Sequence, residues 1–177
     1  MKTECYSLAL NNYKKAFELE KDNSKISLSI ANAYSSLNNF EKADEYFEIT
    51  EKIEPLSAQG YLCKGLSYSD RKDYDKALNY YLQAAEMDSQ NPNPYILSGN
   101  IYNSMKNYDK AKEYYSKANE ISPDVPSIMV LVANIDVIQG NLKSAVEIYR
   151  KASELDTENS ETKLVYYDLV KDYINKK

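Results

Sequence analysis

The chain has 177 residues, a net charge of −5, and neither histidine nor tryptophan. Lysine and arginine are interspersed with the acids, so no basic stripe is available to neutralise phosphates. This argues against nucleic acid as a partner and against an anionic membrane surface. Without histidine the commonest general base, the commonest metal ligand and every Ser-His-Asp arrangement are missing.

No apolar run approaches the roughly 20 residues of a membrane-spanning helix. The first residues lack a signal-peptide core, so a cytoplasmic location is expected. Cys5 and Cys63 do not form a CxxC pair. They fall three helices apart in the reading below, farther than a disulfide reaches, so two free thiols are expected. Neither phosphate-binding glycine motif occurs. The sequence therefore predicts no enzyme, no metal site and no cofactor.

Only 4 glycines and 5 prolines are present, as an all-helical chain requires. Taken in order, the chain repeats with a period of 34. Residues 1–23 read as one helix with Tyr6, Ala9, Tyr13 and Ala16 on a stripe. The same stripe returns as Phe40, Ala43, Phe47 and Thr50, then Tyr74, Ala77, Tyr81 and Ala84. It returns again as Tyr108, Ala111, Tyr115 and Ala118, and as Leu142, Ala145, Tyr149 and Ala152. Spacings of four and three place these residues on one helical face.

In each full unit another helix precedes this one. It carries a small residue (Ala31, Gly65, Gly99, Ala133) and, three later, Tyr34, Tyr68, Tyr102 or Asp136. Helices cross closely only where side chains are short, and aromatics fill the flanking gaps. The spacing predicts helices over 25–37 and 40–53, 58–71 and 74–87, 94–105 and 108–121, and 127–139 and 142–155. Gly140 can take a left-handed cap between the last two. Asp136 breaks its aromatic column, so looser packing is expected there. Glu41, Asp75 and Asp109 recur at helix starts, where an acid favours the macrodipole. Residues 160–177 form a last helix with Val165, Tyr166, Leu169 and Val170 on its apolar side.

These columns resemble the tetratricopeptide repeat (TPR), on Gly65, Tyr68, Ala77, Tyr81 and Ala84, and on Gly99, Tyr102, Ala111, Tyr115, Ala118 and Pro123. Ser27 and Met129 depart from the aromatic column that Tyr61 and Tyr95 keep. Lys64 and Ser98 depart from the leucine column, and Ser89 and Thr157 from the proline column. The resemblance implies an all-α, right-handed α-α superhelix, a TPR solenoid of about ten antiparallel helices. Its parts are an orphan helix B at 1–23, repeats at 24–57, 58–91, 92–125 and 126–159, and a capping helix at 160–177, all in one continuous domain. The orphan helix fits a truncated repeat better than a natural start.

The resemblance further implies a concave groove lined by the first (A) helix of each repeat. The candidate peptide-binding residues there are Leu28, Asn32, Leu62, Cys63, Leu66, Ile96, Leu97, Asn100, Asn103, Val130, Leu131 and Asn134. Asn32, Asn100 and Asn134 share one column, and in the family such an asparagine often holds a peptide backbone. An amide both donates and accepts, so it can pair with any sequence. The clamp for acidic chaperone tails is not reproduced, because its positions hold Leu28, Gln59, Cys63, Asn93 and Leu97. The expected function is a protein–protein interaction scaffold that binds a peptide segment of a protein partner. The alternatives are a self-associating assembly unit, homo-oligomeric through the amino-terminal helix, and an accessory TPR segment of a larger protein.

Overall fold

The structure is a computed structural model. It describes the backbone of residues 2–157 and 160–175, and the side chains of 6–157 and 162–171. Among these residues ten helices follow one another and no strand occurs. They are α1 (Lys2–Leu19), α2 (Ser24–Ser36), α3 (Phe40–Ile53), α4 (Ala58–Asp70), α5 (Tyr74–Met87), α6 (Asn93–Ser104), α7 (Tyr108–Ile121), α8 (Pro126–Ile138), α9 (Leu142–Leu155) and α10 (Ser160–Asn175). No helix of the described residues is long and apolar enough to cross a membrane.

Local chemistry fixes the helix ends. Asn39, Asp73 and Asn107 stand 34 apart, and their side chains accept from the N–H groups of Lys42, Lys76 and Lys110. Each bond satisfies one orphan donor of the first turn. Asn23 and Ser57 cap α2 and α4 in the same way. Helices α6 and α8 instead begin with a proline in the first turn, where a missing N–H costs nothing.

After each first helix of a repeat the chain turns through one left-handed residue. These are Asn38 (φ 58°), Lys72 (φ 64°), Lys106 (φ 59°) and Gly140 (φ 79°), again 34 apart. Gly140 was the one expected from the sequence; Asn38 is also of a type that tolerates this region, whereas Lys72 and Lys106 give no such signal.

The chain forms two compact units, Met1–Asp88 and Ser89–Lys177. In the first, Ile30, Ala31 and Tyr34 of α2 bury against Ala43 and Phe47 of α3, with Cys63 of α4 closing the cluster. Leu10 and Phe17 of α1 pack onto it from the other side. The α3–α4 junction carries a bidentate pair, Arg71 Nη1 and Nη2 to Asp44 Oδ2 and Oδ1, both at 2.7 Å. In the second unit Ala111 and Tyr115 of α7 bury against Val132 and Ile135 of α8. Ala133 of α8, Ala145 and Tyr149 of α9 and Leu169 of α10 form its second cluster.

Small residues let the helix pairs close. A Cβ on Gly65 would stand 2.5 Å from Cε1 of Tyr81, and one on Gly99 would stand 2.5 Å from Cε1 of Tyr115. Both rings are only 1% exposed, so neither has room to retreat.

Asp136 does not loosen the fourth repeat, contrary to the sequence expectation. It is fully buried. Its carboxylate pairs with Lys112 Nζ and accepts from Ser144 Oγ at 2.6 Å and Asn141 Nδ2 at 3.3 Å. Burial pushes its pKa up, but the bonds from Lys112, Ser144 and Asn141 outweigh it and hold the group below 3.8. Cys63 is a free, buried thiol. The side chain of Cys5 lies outside the described residues.

Candidate functional site

The candidate residues sit on α2 and α4 of the first unit and on α6 and α8 of the second. In the first unit the interior claims several of them. Leu62 is 4% exposed and Cys63 6%, so both offer a ligand little surface. Leu28 packs half-buried against the α2–α3 core. Asn32 Nδ2 donates to Cys63 Sγ at 3.1 Å, and Gln59 Nε2 donates to the same sulfur at 3.4 Å. Leu66 takes the asparagine column in α4 and is 41% exposed.

The second unit keeps its asparagines at the surface. Tyr115 Oη donates to Asn100 Oδ1 at 2.7 Å, and Tyr149 Oη donates to Asn134 Oδ1. Burial raises the pKa of both tyrosines, so their hydroxyls stay protonated as donors. Each asparagine therefore has its carbonyl tied inward, and its Nδ2 is left to donate outward. Asn32 lacks this tie because Phe47, in the tyrosine column, has no hydroxyl.

Ile96, Leu97 and Asn103 are half-buried beside Asn100 on α6. Val130 and Leu131 part company: Val130 packs against the α8–α9–α10 cluster and Leu131 against the α7–α8 cluster. A cavity of about 360 Å³ opens between α8, α9 and α10. Val130, Asn134 and Tyr149 line it with Ser127, Asp156, Thr162 and Val165. Hydrogen-bonding groups and aliphatic wall thus meet in one concavity, a combination that suits a peptide side chain with its backbone.

The periodicity assigns Tyr115 and Tyr149 to packing alone. The signal was present, since Asn and Tyr stand 15 apart in both repeats (100 and 115, 134 and 149). Nothing in the periodicity announced Asp156 and Thr162, because they lie where the last repeat gives way to α10.

The comparisons agree with this architecture. Family profiles described as Tetratricopeptide repeat match residues 28–92, 92–125 and 126–159. No curated protein matches the chain. Among solved structures, MamA from Desulfovibrio magneticus RS-1 is 21% identical, with a TM-score of 0.70 over 88% of this chain and 88% of that one. PilF of Pseudomonas aeruginosa is 19% identical, with a TM-score of 0.76 over 99% of this chain and 80% of that one. YrrB, described as a TPR protein with an unusual peptide-binding site, is 17% identical, with a TM-score of 0.65 over 93% and 84%. At these identities the likeness is one of fold. With the family profiles spanning 28–159 and the hairpin repeat seen in both units, the chain belongs to the tetratricopeptide repeat family.

Proposed function

We propose that the chain is a protein-interaction module that holds an extended peptide segment of a partner on the faces of its A helices. One observation carries the reading: the tyrosine ties turn Asn100 and Asn134 into outward-facing N–H donors. A peptide in extended form presents backbone carbonyls, and a fixed side-chain donor can hold one whatever its residue. The cavity beside Asn134 adds a place for an apolar side chain. Family membership and the peptide-binding description of YrrB support the same reading. The role needs no chemistry from the protein.

The test is titration of the partner captured by copurification. Asn100→Ala with Asn134→Ala should weaken it about tenfold, the worth of two backbone hydrogen bonds, while the far-UV helix signal stays. Unchanged affinity would remove the asparagines from the site.

A second reading rests on α1. Tyr13 is 40% exposed there although its column, Phe47, Tyr81, Tyr115 and Tyr149, is buried in the other repeats, and Tyr6 and Leu8 on the same helix are 42% and 65% exposed. A second copy could cover it. Sedimentation over a concentration series separates the readings, and a strict monomer at high concentration rules this one out.

A further inference from the structure

The cavity beside Asn134 differs from one end to the other. Asn134 and its partner Tyr149 stand at one end. Seven residues back along α8 is Ser127, and seven on from Tyr149 is Asp156. Helices α8 and α9 form an antiparallel hairpin, so these two lie together at the other end. Seven residues of helix rise roughly 10 Å. Val130 and Val165 supply aliphatic wall between the two ends.

The Asp156 end is negative. Asp156 is half-buried, and it is the one charged side chain among the described residues that line the cavity. It is also the C-cap of α9, where the last carbonyls of the helix gather partial negative charge, and no basic residue stands in that last turn. Lys163 of α10 donates to Thr157 O at 2.6 Å and does not line the cavity. The hydroxyls of Ser127 and Thr162 add acceptors to the same lining.

No other repeat combines these parts. In the third, Asn100 and Tyr115 keep the tie but Ser122 stands in the place of the acid. In the second, Asp88 keeps the acid but Leu66 replaces the asparagine. In the first, Asn32 bonds to Cys63 and Glu54 accepts from Ser24.

We propose that the side chain received by this cavity is a lysine. The proposal rests on the peptide reading given above and narrows it to a lysine-bearing segment. The peptide backbone carbonyl accepts from Asn134 Nδ2. The four-carbon stem lies on Val130 and Val165, and the ammonium donates to the Asp156 carboxylate. An extended lysine stem of about 6 Å, with a hydrogen bond of about 2.9 Å at each end, spans the distance. The three N–H donors of an ammonium spread tetrahedrally, which suits one carboxylate flanked by two hydroxyls better than the planar fork of arginine does.

The test uses two blocked extended peptides that differ only at the central residue, lysine in one and norleucine in the other. Norleucine keeps the stem and removes the charge. Each is titrated into the full chain to millimolar concentration, and the Asn134 side-chain amide is followed by NMR. The lysine peptide should bind about tenfold more tightly, the worth of one charge-assisted hydrogen bond. Asp156→Asn should remove this preference and leave the norleucine peptide unchanged. Ser127→Lys, at an exposed position, sets the protein's own ammonium beside Asp156 and should remove the preference as well. Asn134→Ala should weaken both peptides equally. Equal binding of the two peptides with the Asn134 amide still shifting would overturn the lysine and leave the peptide reading standing. So would a preference that survives Asp156→Asn or Ser127→Lys. An Asn134 amide that neither peptide shifts would overturn both.

Discussion

Asp136 shows how one residue can break a column and still hold its repeat. Its carboxylate is saturated by Lys112, Asn141 and Ser144. Asp136→Ala strips three donors of their acceptor. Lys112 is 35% exposed and can turn to water, so the loss should be about 2–3 kcal/mol, short of the full penalty for a stranded buried charge. Urea unfolding would measure it. The pH dependence follows from the sign of the shift. The folded carboxyl titrates below its unfolded value of 3.8, so its contribution is complete above that value. It is lost as pH falls from about 3.8 through the folded pKa. Asp136→Asn should therefore flatten this part of the acid limb of stability, and an unchanged limb would show that other carboxylates set it.

The left-handed turns give a residue-scale prediction of opposite sign. Lys72 and Lys106 hold positive φ without glycine's freedom. Lys72→Gly and Lys106→Gly should each stabilise by about 0.5–1 kcal/mol, the relief of left-handed strain less the added freedom of the unfolded chain. Gly140→Ala should cost about 1 kcal/mol through its φ alone, because nothing lies within 4 Å of the added carbon.

At the scale of the element, helix ends were legible where a cap repeats and less so where it does not. All four second helices of the repeats begin and end where the spacing predicts, and Asn39, Asp73 and Asn107 cap three of them. Each first helix starts one residue earlier than predicted, except α4, and every one stops one residue sooner. Their starts vary between an asparagine cap at Asn23, a serine cap at Ser57 and a proline in the first turn of α6 and α8, so no column marks them.

The buried Asp136 was illegible because its compensation is spread over other columns. Tyr34, Tyr68 and Tyr102 meet Tyr46, Tyr80 and Tyr114, with ring centroids 5.7, 5.4 and 5.3 Å apart. In the fourth repeat Ile148 replaces the second tyrosine, and Ser144 replaces the lysine of Lys42, Lys76 and Lys110. Three columns change together, and one read alone looks like damage. The glycines test the same principle of fit between helices. Gly65→Ala and Gly99→Ala gain about 1 kcal/mol of helix propensity but drive a methyl into Tyr81 or Tyr115. Overpacking of this kind costs about 1–3 kcal/mol, so the net should be destabilising wherever the ring cannot move. A rise in the urea midpoint would mean that the rings yield.

At the scale of the whole molecule, near-identical repeats face the risk of pairing out of register. Each unit answers it with a charged junction of its own. In the first, Asp44 of α3 meets Arg71 at the end of α4. In the second, Lys112 of α7 meets Asp136 of α8. Asp44 and Lys112 occupy one column, so the sign is reversed between units. Helix α8 docked on α3 would set Asp136 near Asp44, and the wrong pairing would be penalised by like charge. Each unit also holds five helices and its own buried clusters. Stability in such arrays is nearly a sum of local terms, so each unit should fold as a separate piece. Residues 1–88 and 89–177, produced apart, should both show helical far-UV spectra and cooperative urea unfolding. The acid limb set by Asp136 should follow 89–177 and be absent from 1–88, since both the carboxylate and its three donors lie in the second unit. A fragment 89–177 that is unfolded in water would show that its clusters do not hold the unit by themselves.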